Sequence, residues 1–140
     1  MITICDDANL SAWDKHQNLT LRTIRAIQFA CTVEPIMNSH LHTKTLHYKS
    51  FEDIHMGVAI DTPHGLYVPV VKNINNKTDS DIRHEIDQIK AQAQSKTIQQ
   101  RDLKGATITL SNVGALAGRY ATPIVVPPMV AIVGAGRARD

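Results

Sequence analysis

A chain of 140 residues suits one domain, and a hydrophobic share of 43% is enough for a single core. Aromatic residues are scarce (Trp13, Phe29, Tyr48, Phe51, Tyr67 and Tyr120), so Ile, Val, Leu and Ala must build that core. The formal net charge of +2, with no Lys/Arg run, argues against nucleic acid as a partner, and no stretch is long enough to span a membrane. From the N-terminus, MITICDDANL carries acidic residues where a signal peptide would carry basic ones, and its Ile2 to Cys5 is a short β-prone segment. From Thr20, the apolar positions Leu21, Ile24, Ile27, Ala30 and Cys31 fall at helical spacing, and Pro35 supplies a stop. Cys5 and Cys31 match no CxxC spacing and read as free thiols in a reducing compartment. The chain therefore reads as soluble and intracellular, with a cleaved organellar leader compatible with it.

Thr45 to Tyr48 is a candidate strand. His55 to Asp61 and Leu66 to Lys72 are rich in Val and Ile, and TPHG joins them, with Pro63 and Gly65 supplying fixed and permissive backbone at the bend. The clearest helix spans Asp79 to Lys96. Ile82, Ile86, Ile89 and Ala93 form its apolar stripe, and Arg83, Glu85, Asp87 and Lys90 lie off it. Thr78 is its expected N-cap, with Asp81 at the capping-box position. Gly105 separates this region from an alternating strand, 106 to 111, and a last apolar strand covers 129 to 134. Strands and helices alternate, so the expected class is α/β: a mixed β-sheet flanked by helices, with helix 79–96 covering the sheet.

Four constellations invite a functional reading. Ser111 ends the strand 106–111 and enters a glycine-punctuated loop, a placement that can present a hydroxyl to a reacting carbonyl. A loop serine bonded to local backbone is the plain alternative, and no G-x-S-x-G surrounds it. VAIVGAGRA imitates a dinucleotide-binding start, but Arg139 stands where the third glycine would be. His40 and His42 form an H-x-H pair with His47 nearby, and His55 and His64 flank GVAIDTP. No Cys/His spacing completes a zinc site, so the expectation is no metal, with the histidines exposed or structurally bonded. Lys72, Arg119 and Arg137 could meet phosphates, but isolated basic residues are usually just solvated, and no cofactor-binding residue is identifiable from the sequence.

HMGVAIDTPHGLYVPVVKN (55–73), TLSNVGALAG (109–118) and PPMVAIVGAG (127–136) resemble the catalytic domain of the 2-oxo acid dehydrogenase acyltransferases, the E2 subunits, whose fold is chloramphenicol acetyltransferase-like. The similarity is continuous from about residue 54 to 137. It is looser over 1 to 50, where Pro35, Met37 and Asn38 match a Pro-x-(Leu/Met)-Asn segment. The resemblance implies acyl transfer between the dihydrolipoyl arm of a lipoyl domain and coenzyme A, without a metal. Acetyl is the first expected acyl group, followed by branched-chain acyl and succinyl. It gives Ser111 the role of hydrogen-bonding the oxyanion of the tetrahedral intermediate, makes Asn112 a loop-stabilising neighbour, and has Gly114 and Gly118 permit tight backbone. It further implies a homotrimer building a larger core with E1 and E3 components, in bacterial cytoplasm or the mitochondrial matrix. The family's catalytic base is a histidine in a His-x-x-x-Asp-Gly motif nearer the C-terminus, and these 140 residues contain none. The expectation is one partial acyltransferase domain over 1–140, incomplete at its C-terminus and inactive by itself. The alternative is a non-catalytic scaffold that keeps the core fold.

Overall fold

A computed structural model describes residues 1–14, 16–114 and 121–139. Helix α1 (Leu19–Val33) starts at Asn18, whose side chain accepts from the Leu21 N–H at 3.0 Å. Ile24, Ile27 and Cys31 are its buried residues, while Pro35 opens a 3-10 turn, Pro35–Asn38, and ends the helix as the sequence implies. Strands β1 (Ser39–His42) and β2 (His47–Ser50) follow as an antiparallel hairpin. This corrects the expected strand at 45–48: Thr45 and Leu46 belong to the turn, where Leu46 holds a left-handed φ of 53°. The β-prone segment at Ile2 to Cys5 forms no strand. Ile2 and Ile4 are about nine-tenths exposed (89% and 88%), and a strand without a partner or a buried face has nothing to hold it.

Each of the two Val/Ile-rich runs is cut in half. The first becomes β3 (Met56–Val58) and β4 (Ile60–Thr62), and the second becomes β5 (Gly65–Tyr67) and β6 (Val70–Val71). Pro69 explains the break. Its carbonyl accepts the Val58 N–H at 2.9 Å, but proline has no N–H to return, so the ladder stops and the chain bends away. β4 and β5 then form a separate ribbon, while β3 and β6 join the main sheet. With β7 (Ile108–Asn112) and β8 (Ile132–Ala135), the main sheet runs β6-β3-β7-β8, antiparallel at its first pairing and parallel at the other two. The expected last strand, 129–134, starts late: Met129 makes only an isolated bridge to His40, because Pro127 and Pro128 before it donate nothing.

Helix α2 (Asp79–Gln94) is capped as expected, with a reciprocal box between Thr78 and Asp81. It ends two residues before the expected Lys96, whose φ of 58° is left-handed. Ile82, Ile86, Ile89 and Ala93 are all buried and join Met56, Val58, Val71, Ile108 and Leu110 of the sheet in one core. Arg25 ties α1 to the start of α2. Its guanidinium donates to Asp79 Oδ1 at 2.7 Å, the Ile74 carbonyl at 3.0 Å and the Lys77 carbonyl at 2.7 Å. Between the central strands, Gly57 leaves no room for a side chain: a Cβ there would lie 2.6 Å from Thr109 Oγ1 and 3.2 Å from Val68 Cγ1.

Two substitutions test this packing. Ile86→Ala should destabilise the chain by about 2–5 kcal/mol, the usual cost of emptying a buried isoleucine site. Gly57→Ala should cost about 1–3 kcal/mol, because overpacking must push the strands apart. Urea denaturation reads both. An unchanged midpoint for Ile86→Ala would mean that α2 does not lie on the sheet in this register.

Candidate active site

β7 delivers Ser111 to its end as a half-buried residue directly opposite Gly134 of β8. Partners in a parallel ladder project to the same face. Gly134 places no side chain beside the hydroxyl, and the ring of Pro123 lies 3.2 Å from the position that a Gly134 Cβ would take. Among the described residues, no group is hydrogen-bonded to the Ser111 side chain, so its O–H is free to donate.

The loop that follows is held by both main chain and side chains. Val113 donates to the Ala135 carbonyl at 2.9 Å, and the Gly114 N–H donates to Asn112 Oδ1 at 3.3 Å. Asn112 Nδ2 reaches Thr20 Oγ1 of α1 at 3.4 Å, which gives Asn112 the loop-stabilising role expected of it. Arg137 Nε donates to the Gly114 carbonyl at 3.1 Å. A Cβ on Gly114 would sit 3.0 Å from the Gly136 carbonyl oxygen, so glycine suits this close approach of two backbones and a side chain would have to push one of them back. Gly118 and Arg119 lie outside the described residues. The GAG of 134–136 thus serves as the wall of the serine loop.

Lys72 and Arg137 do not converge. Arg137 is engaged by Gly114, and Lys72 follows β6 at the end of the sheet opposite Ser111, since Val71 aligns with Met56 and Met56 with Ile108. His40 and His55 also lie at the opposite end of β7 from the serine. His40 Nε2–H donates to the Ala106 carbonyl at 2.8 Å, and the His55 carbonyl accepts from Thr107 at 2.9 Å, both at the start of β7. His64 sits in the β4–β5 turn. Among the described residues, no group of three or more His, Cys, Asp or Glu side chains is arranged to hold a metal ion. Cys31 is buried, which pushes its thiol pKa up, and Cys5 is exposed. A cavity of about 420 Å³ lined by Cys31, Asn38, Phe51 and Ile54, among others, includes neither Ser111 nor its neighbours.

A sequence model of the 2-oxoacid dehydrogenases acyltransferase (catalytic domain) family matches residues 4–140. The chain belongs to this family. It is 34% identical over 117 residues to the dihydrolipoyllysine-residue acetyltransferase component of the pyruvate dehydrogenase complex of Bacillus subtilis, covering 84% of this chain and 26% of that protein. It is equally identical, at 34% over 113 residues, to the succinyltransferase component of the mouse 2-oxoglutarate dehydrogenase complex, covering 79% of this chain and 24% of that protein. A solved structure of the Azotobacter vinelandii dihydrolipoamide acetyltransferase, in which the catalytic roles of a serine, a histidine and an asparagine were investigated, superimposes with a TM-score of 0.82. The identity is 31%, over 87% of this chain and 50% of that one. The chain thus spans about a quarter of the length of its curated relatives and half of the Azotobacter structure. The acyltransferase fold, a mixed sheet with helices, is the one expected from the sequence.

His55 adds a titratable group at the far end of this sheet. Its Nδ1 accepts the Asn73 N–H at 3.1 Å. Burial lowers its pKa, Asp53 opposes this, and Lys72 and Lys77 lower it further. The folded imidazole therefore titrates below its ordinary value of about 6.5. As pH falls the unfolded chain takes the proton first. The contribution of neutral His55 is complete above about pH 6.5 and is lost as pH falls through the folded value. Denaturation midpoints followed downward from neutral pH should fall less steeply in His55→Gln. Parallel slopes would remove His55 from the acid response.

Proposed function

We propose that this chain is part of one acyltransferase catalytic domain. It would help transfer an acyl group between the dihydrolipoyl arm of a lipoyl domain and coenzyme A in a 2-oxo acid dehydrogenase complex. The observation that carries this reading is Ser111: a hydroxyl at a strand end, beside a side-chain-free Gly134 and a loop fixed by Val113, Asn112 and Arg137. The attacking and leaving groups are both thiols, and a free thiol has a pKa of about 8.5, so only a minor fraction of the attacking thiol is thiolate near neutrality and a general base is valuable. Attack of the thiolate on the thioester carbonyl forms a tetrahedral oxyanion. Ser111 donates its O–H to that oxygen, and collapse expels the other thiolate, so no acyl-enzyme forms and no metal or redox cofactor is called for.

The base is a histidine that residues 1–140 do not contain in the family's His-x-x-x-Asp-Gly form. Supplied from elsewhere in an assembled core, it meets Ser111 across a subunit contact of a homotrimer. The cubic core of the pyruvate dehydrogenase complex, which this chain matches with a TM-score of 0.82, supports such an assembly. E1 and E3 components and the lipoyl domain are the remaining partners. Relatives from Bacillus and from mitochondria support bacterial cytoplasm or mitochondrial matrix as the location. Acetyl is the first acyl group to test, with branched-chain acyl and succinyl beside it, because named relatives of all three types share 34% identity with this chain.

Two assays of acyl transfer from acyl-coenzyme A to dihydrolipoamide test these readings. The purified 140-residue chain should show no turnover above background, and robust turnover would place a base among its own histidines. In an active core that includes the family's histidine segment, Ser111→Ala should lower kcat by about 10²–10³-fold, the cost of losing one oxyanion donor. KM for coenzyme A should change little, because the lost bond forms only in the transition state. Full activity of a folded, assembled Ser111→Ala core would make Ser111 an ordinary loop residue.

A further inference from the structure

His40, His42 and His47 have no part in the proposed acyl transfer, yet the β1–β2 register brings two of them together. His42 stands directly opposite His47, the last pair before the turn. Side chains paired in this way share one face of the ribbon, with Cβ atoms about 4.5–5.5 Å apart. Both residues are exposed, and neither ring has a hydrogen-bond partner among the described residues. His40 shares the face but is committed elsewhere: Nε2–H donates to the Ala106 carbonyl at 2.8 Å, and the ring packs edge-on against Phe51 at 4.7 Å. Its cross-strand partner Lys49 is also drawn off, with Nζ 5.4 Å from the Phe51 ring centre.

We propose that His42 and His47 form a two-nitrogen chelate at the tip of this hairpin for a borderline divalent transition metal, with copper(II) bound more tightly than nickel(II) or zinc(II). Two imidazole nitrogens at about 2.0–2.1 Å from one ion lie roughly 3 Å from each other, a separation that rings leaning together from opposed strands can reach. The donor set selects the metal class. No Asp or Glu occurs between residues 35 and 51, and Lys44 lies in the turn, so a hard cation that needs carboxylate oxygen gains nothing here. Neutral imidazole suits copper, nickel and zinc, and copper(II) heads the affinity order for a given nitrogen site. With two protein ligands, water fills the remaining positions and the ion exchanges. Because the pair exists only when the strands are in register, bound metal stabilises the hairpin by mass action.

Copper(II) is titrated into the 140-residue chain carrying Cys5→Ser, which removes the exposed thiol as a competing ligand and reductant. Binding is followed by calorimetry and by electron paramagnetic resonance. The expected result is one copper per chain with two nitrogen ligands. His42→Asn and His47→Asn should each weaken binding by about tenfold or more, the least that losing even an outer-shell partner of a metal ligand costs. His84→Asn, on the exposed face of α2, should leave it unchanged. Circular dichroism of the metal-free variants should match the parent, since all three side chains are exposed. Equal copper affinity in the parent and both hairpin variants would overturn the proposal, as would an equal loss in His84→Asn.

Discussion

The pairing of β7 between two parallel neighbours is the constraint on which the rest of this structure depends. A strand bonded on both sides cannot shift alone, and β7 is fixed against β3 through Ile108 to Leu110 and against β8 through Thr109 to Asn112. Thr107 to Leu110 are all buried, and Thr109 Oγ1 is spent on Met129 Sδ at 3.3 Å. The absent side chain of Gly57 lets β3 approach on this scale. Only past Leu110 does exposure return, so Ser111 is the first residue of a rigid strand at which a hydroxyl can face a substrate. The catalytic proposal and the core packing are thus two ends of one five-residue strand.

The helices complete this arrangement through different physics. α2 is held mainly by apolar burial, with isoleucines at the spacing that one helical face requires. α1 buries less, and a single arginine compensates by crossing to three acceptors around the start of α2. Two of those acceptors are backbone carbonyls in the connection before α2. Arg25 therefore ties the main chain of that connection to α1, adding a charged donor to the Lys77 carbonyl and to the Ile74 carbonyl, which also accepts the Lys77 N–H at 3.3 Å.

Local signals were legible in the sequence where one element decides its own structure. The α2 stripe, the Thr78–Asp81 box, the stop at Pro35 and the strand leading to Ser111 are all carried by residues within a few positions of one another. Signals that depend on a distant partner were not. The strand at Ser39–His42 is stabilised by pairing with β2 and by the Pro128 carbonyl, which accepts from the Leu41 N–H at 2.7 Å, and nothing in SHLH announces that. The break at Ala59 follows from a proline ten residues later, visible only once β3 and β6 are paired. At the site, Ser111 was legible as a strand-end hydroxyl. The contact of Gly114 with Gly136 was not, although Gly136 stood in the segment that imitates a dinucleotide site.

That contact between two glycine backbones has a consequence for how the chain can change. Where side chains set a loop's position, substitutions move it by degrees. Here one main-chain bond, from Val113 to Ala135, and the bare backbones of Gly114 and Gly136 share that work with the Asn112 and Arg137 side chains. Chain length is what the arrangement cannot vary. One residue added between Met129 and Gly134 would slip β8 against β7 and turn its alternate positions to the other face, bringing a side chain opposite Ser111, where the Pro123 ring now lies against bare Gly134. An inserted residue would therefore disturb the site as surely as a side chain at its glycines.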